Sequence, residues 1–147
     1  MKTFARYFVA LVLTAAPLCG LAQQNYTDVS VYRVVKLRIL PGKTTDFYKT
    51  FAYAPKIWEA EKSAGLILDY QILRSVNYEG PDKWDVMYVI HIKNMAVLDT
   101  FGDQAAPIIA KVYGSPEKRA EVAKMRDETS EVVSSELVRD IQLKSQQ

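Results

Sequence analysis

The 147 residues carry 19 basic and 17 acidic side chains, one histidine and one cysteine, and 49% of positions are apolar. That apolar content suffices for one core, whereas the near-balanced charge is too small to neutralise a row of phosphates, so nucleic acid is excluded as the expected partner. A lone cysteine excludes an intramolecular disulfide framework.

Lys2 and Arg6 form a charged start, Phe8 to Ala16 an apolar middle and Gly20-Leu21-Ala22 a small-x-small cleavage site, with Pro17 breaking any helix before it. Residues 1–22 therefore read as an export signal, with an apolar stretch too short to remain as a membrane-spanning helix. Cleavage after Ala22 leaves a mature chain of about 125 residues from Gln23, periplasmic or secreted and without cysteine. A competing lipid-anchored form would acylate Cys19, but a lipoprotein box wants a small residue before the cysteine and Leu18 stands there, so this form is not expected. After Lys2 and Arg6 leave, 17 basic residues balance 17 acidic ones, and no apolar run approaches the about 20 residues that cross a bilayer.

Residues 23–28 read as a polar lead and 29–147 as a single domain. From Val29 to Leu40, Val29, Val31, Val35, Leu37 and Ile39 share one parity, which predicts a strand with one apolar face. Pro41-Gly42 ends it. Thr44 or Thr45 can cap a helix whose buried stripe is Phe47, Phe51, Ala54 and Trp58, and Pro55 predicts a kink near Ala54. Gly65 closes that helical region. A second strand follows with Leu66, Leu68, Tyr70 and Ile72 on its apolar side, then a turn-rich loop from Asn77 to Lys83. The third strand runs from Trp84 to Lys93 with Trp84, Val86, Tyr88, Ile90 and Ile92 facing the core. Asn94 can cap a short helix to Phe101, interrupted at Gly102-Asp103 before a second run from Ala105 to Tyr113. Ser115-Pro116 starts a charged surface helix reaching about Val132, with Glu121 and Lys124 spaced to pair. Leu137, Ile141 and Leu143 mark a fourth strand whose parity Arg139 interrupts.

Strand, helix, strand, strand, helices, strand is the order of the ferredoxin-like split βαββαβ arrangement, an α+β class with a four-stranded antiparallel sheet and helices on one face. The other face then carries Tyr32, Val34, Lys36 and Arg38, then Ile67, Asp69, Gln71 and Leu73, then Asp85, Met87, Val89, His91 and Lys93. This mixture suits a surface that meets a second subunit around a partly open cavity, although an ordinary exposed sheet face would read similarly.

With the Pro41-Gly42-Lys43 turn before the Phe47 helix and Trp84-Asp85 opening the third strand, the chain resembles the dimeric α+β barrel superfamily, which includes small monooxygenase-like, stress-responsive and NIPSNAP-like proteins. The resemblance spans most of Val29 to Leu143 and implies a homodimer paired sheet to sheet. It also implies a fold in which some members bind haem or oxidise aromatic substrates. No catalytic motif of a named member matches residue by residue.

His91, the only histidine, is the first candidate for a proton shuttle, with Asp69 and Asp85 as candidate bases and Lys36 and Arg38 nearby in the pattern. Cavity-lining packing for His91 and rim ion pairs for the charged residues are the structural alternatives. A metal site is not expected, since zinc would need further His or Cys ligands, and no cofactor is specified by any phosphate loop or porphyrin signature. Two functions remain open. In one, Tyr32, Gln71, Met87, Val89 and His91 form a cavity that binds or oxidises an apolar or aromatic small molecule; in the other, the protein is a non-catalytic exported dimer serving as a structural or interaction module.

Overall fold

A computed structural model describes residues 26–143. Residues 1–22, read as an export signal, lie outside the described residues, whereas the stretch read as polar lead contributes its last residues to β1 (Tyr26–Ile39). The remaining elements are α1 (Thr44–Phe51), α2 (Tyr53–Ser63), β2 (Asp69–Arg74), β3 (Val86–Ile92), α3 (Val97–Tyr113), α4 (Pro116–Thr129) and β4 (Ser130–Leu143). The strands form one antiparallel sheet in the order β2-β3-β1-β4, which is the ferredoxin-like arrangement. Among the described residues no helix is long and apolar enough to cross a membrane.

Alternation along the two central strands builds the core. Val31, Val35 and Leu37 of β1 and Val86, Ile90 and Ile92 of β3 are buried beneath the helices. One cluster joins Val31, Ile90 and Ile92 to Trp58, Leu66, Ile67 and Ala105; a second joins Val35, Leu37 and Val86 to Phe47. Phe51 and Tyr88 pack against both and tie them together.

Several element boundaries differ from the sequence pattern for local reasons. The break between the first two helices falls at Ala52 rather than Ala54. A proline clashes with the carbonyl four residues earlier, which for Pro55 belongs to Phe51, so α1 ends there and Pro55 sits harmlessly in the first turn of α2. Conversely, α3 runs unbroken through Gly102 and Pro107. The Gly102 penalty of about 1 kcal/mol is outweighed by burial, because Leu98, Phe101, Ala105, Ile108 and Ile109 present one face to the core.

At Gly65 (φ 75) a left-handed residue lets the Leu66 amide donate to the Glu61 carbonyl at 2.9 Å and its own amide donate to Lys62 at 3.0 Å. The chain then turns irregularly before β2, so alternation does not hold over residues 66–68. Ile67, expected on the open face, is 2% exposed in the core, and Leu68, expected inside, is 46% exposed. Trp84 likewise precedes β3 instead of opening it.

Ser115 caps α4 by accepting a hydrogen bond from the Lys118 amide at 3.1 Å. On that helix Glu121 pairs with Lys118 and Lys124 with Glu128, in place of the expected Glu121–Lys124 pair. The helix stops at Thr129 because the Thr129 and Ser130 hydroxyls both donate back to the Arg126 carbonyl, and the Leu40 amide captures the Thr129 carbonyl at 2.9 Å. β4 therefore begins at Ser130, well before Leu137. Register shifts against β1 fall between Lys36 and Leu37 and between Asp28 and Val31, which is why a simple parity fails along this edge strand.

Candidate functional site

Cross-strand register sets three rows on the sheet face away from the helices. Asp69, His91, Tyr32 and Val138 form the first, Gln71, Val89, Val34 and Glu136 the second, and Leu73, Met87, Lys36 and Ser134 the third. Tyr32 and His91 stack with ring centroids 4.5 Å apart, and the His91 Nε2 is buried without a hydrogen-bond partner among the described residues.

The charged residues considered as a constellation do not converge. The Lys62 ammonium sits 2.7 Å from the Asp69 carboxylate and, through that hydrogen bond, holds its pKa below the usual range, which makes Asp69 a poor base. The Asp85 carboxylate accepts from the Ile39 amide at 2.8 Å while its own amide donates to the Leu37 carbonyl, so it fastens the loop before β3 to the end of β1. Arg38 pairs with Glu131 at 2.8 Å and donates to the Lys83 carbonyl, and Lys36 lies 3.9 Å from Glu136.

The clefts open on the other side of the sheet. Two adjoining hollows of about 520 and 500 Å³ lie between the sheet and helices α2 and α4, sharing Ile57, Trp58, Tyr88, Tyr113, Ala123 and Arg126. None of Tyr32, Gln71, Met87, Val89 and His91 lines either one. The walls are aromatic: Trp58 stands 4.8 Å from Tyr88 and 6.0 Å from Phe51, centroid to centroid.

Two charged groups sit within this apolar surround. Arg33 lies on β1 opposite Ile90, on the core-facing side, and Glu61 lies on α2 one turn beyond Trp58 and is 3% exposed. Burial pushes the Glu61 carboxyl up to about 7, with Arg33 pulling the other way. Burial also raises the Tyr88 phenol, again against Arg33. A carboxyl that titrates near neutrality inside a hollow can exchange a proton with a bound molecule, which neither Asp69 nor Asp85 is placed to do. Both residues carry a sequence signal: Arg33 is the charged member of the Val31, Val35, Leu37 parity, and Glu61 continues the Phe47 to Trp58 helical stripe.

The Glu61 shift has a measurable consequence. A raised carboxyl pKa means that the folded state binds the proton more tightly than the unfolded chain. Its contribution is full below about pH 4.5 and is lost as pH rises through about 7. The loss is on the order of 1–3 kcal/mol. Urea denaturation of Glu61→Gln at pH 4.5 and pH 8 is expected to show the variant gaining stability relative to wild type at the higher pH. Parallel behaviour of the two proteins would contradict a buried, proton-holding Glu61.

No known protein family and no curated protein matches the chain. Among solved structures it is similar to HapK from Hahella chejuensis, at 15% identity and a TM-score of 0.44 over 80% of this chain and 96% of that one. It is similar also to a dimeric ferredoxin-like protein of unknown function from Bacteroides fragilis, at 14% and 0.42 over 76% and 94%. A third is SnoaB, a cofactor-independent oxygenase from Streptomyces nogalater, at 12% and 0.40 over 81% and 96%.

Proposed function

We propose that the protein binds an apolar or aromatic small molecule in the helix-side cleft around Trp58 and Tyr88, as an exported homodimer paired sheet to sheet. The aromatic-walled hollow holding a buried carboxyl that titrates near pH 7 is the observation that carries the binding reading. An enzymatic form of it would use ionised Glu61, populated above about pH 7, to take a proton from a substrate hydroxyl.

Pairing through the open face is supported by its half-buried Val34, Met87 and Val89, by the exposed Leu73 and Val138, and by polar atoms left orphaned there. The two buried side-chain atoms without a partner among the described residues, His91 Nε2 and Ser134 Oγ, both lie on that face, where a second copy would satisfy or cover them. Export rests on the N-terminal charge, apolar and cleavage pattern. A non-catalytic interaction module would leave the cleft unused.

Thermal-shift screening of small aromatic and aliphatic compounds separates these readings, because a ligand specific for the folded state raises the melting temperature. Ala123→Trp fills the cleft from α4 and is expected to abolish the shifts, whereas Gln71→Ala on the open face leaves them intact. Hits that survive Ala123→Trp but vanish with Gln71→Ala would move the site to the sheet face, and a screen without hits would favour the interaction module.

A further inference from the structure

The unusual group in the cleft is Arg33. It projects from a central strand between Val31 and Val35, each 4% exposed, is itself half-buried, and its guanidinium makes no ion pair or side-chain hydrogen bond with the described residues. A cation in such surroundings is costly unless an anion meets it. The other guanidiniums on the lining are placed differently. Arg126 donates through Nε and Nη2 to Asp127 Oδ1 at 3.0 and 2.9 Å, and Arg119 is exposed at the rim. The one acid on this lining is Glu61, which is largely protonated below neutrality. The cleft thus presents one guanidinium, that of Arg33, on an aromatic and aliphatic wall, with Arg119 out at its exposed rim.

We infer that the cleft takes an amphipathic monoanion, an aromatic or aliphatic carboxylate whose head group is held by the Arg33 guanidinium and whose apolar body lies against Trp58, Tyr88 and Phe101. The inference rests on the binding reading above and supplies its ligand class. One planar guanidinium matches one carboxylate, whereas a phosphate dianion would call for a second cation beside it, and the candidate, Arg119, is exposed at the rim. The ligand and Glu61 compete for Arg33, so binding favours protonated Glu61. The titratable and charged groups around the head group are Arg33 from β1, Tyr88 from β3, Glu61 from α2, Tyr113 from α3, and Arg119 and Arg126 from α4, the last already paired with Asp127. Glu61 titrates near pH 7, so carboxylate affinity falls between pH 6 and pH 8.

The test is calorimetric titration of the purified protein with carboxylates and their matching carboxamides, from 2-naphthoate and 2-naphthamide to decanoate and decanamide. Some carboxylates are expected to bind at least about tenfold more tightly than their amides at pH 6. That gap closes in Arg33→Met, persists in Arg33→Lys, and loses its pH dependence in Glu61→Gln. Circular dichroism checks that the variants fold, and the acid-to-amide comparison in wild type decides the ligand class without them. Amides that bind as tightly as their acids, or a gap unchanged in folded Arg33→Met, would overturn the assignment while leaving small-molecule binding intact. If no member of any pair binds, both readings fall.

Discussion

Val89→Asp is expected to shift the protein from homodimer to monomer or aggregate. Val89 occupies the centre of the open sheet face, flanked by Gln71 on β2 and Val34 on β1. The single helical layer covers only the opposite face, leaving Val34, Met87, Val89, Leu73 and Val138 for another surface to cover. Full burial of a large apolar side chain is worth about 1.5–3 kcal/mol, so several of them together favour association. An aspartate at the centre would be forced into that contact without a cationic partner in its own row, at a cost of several kcal/mol. Light scattering at micromolar concentration reads the outcome. A wild-type monomer, or a Val89→Asp protein that stays dimeric, would contradict sheet-to-sheet pairing.

Phe47→Ala is expected to cost about 3–5 kcal/mol, a large part of the roughly 5–15 kcal/mol that holds a domain together. Phe47 is 1% exposed and fills the space under α1 between Val35, Leu37 and Val86, with the Phe51 ring stacked 5.2 Å away. Collapse into the space is hindered at both ends. Thr50 is bonded back to the Phe47 carbonyl within α1, and Asp85 pins the end of β1 from the other side. Denaturant titration monitored by tryptophan fluorescence gives the change; a loss below about 1 kcal/mol would mean that this cluster is not a structural core.

The architecture was legible because the strongest sequence signals are the ones that packing obeys. Strict alternation in β1 and β3 reports a sheet buried on one side, and the Ser115-Pro116 pair places the start of α4 to the residue. Legibility failed where tertiary contacts override local rules. Gly102 would break an isolated helix, yet α3 continues because its apolar face has somewhere to go. Ile67 and Leu68 exchange their expected places because a Gly65 cap re-aims the chain before β2 begins. The start of β4 was hidden because the bonds to the Arg126 carbonyl that end α4 come from ordinary Thr and Ser side chains.

The candidate site was harder to read for a different reason. Periodicity rewards residues that fit an apolar pattern and treats those that violate it as noise, so Arg33 and Glu61 do not stand out inside the core parity. His91, Asp69 and Asp85 stand out by residue type alone. In the fold, Asp69 is held by Lys62 and Asp85 by a backbone amide, while His91 stacks on Tyr32 across the sheet from the cleft.

The proposed function turns on a ligand cavity between sheet and helices. It is tested most directly by nuclear magnetic resonance of the labelled protein, titrated with a compound that raises its melting temperature. The expected result is a saturable shift of the Trp58 indole resonance, with the Trp84 indole, the His91 ring and the Val89 methyl groups unmoved. Shifts centred on Val89 and His91 with Trp58 unchanged would contradict the claim and return the site to the open face.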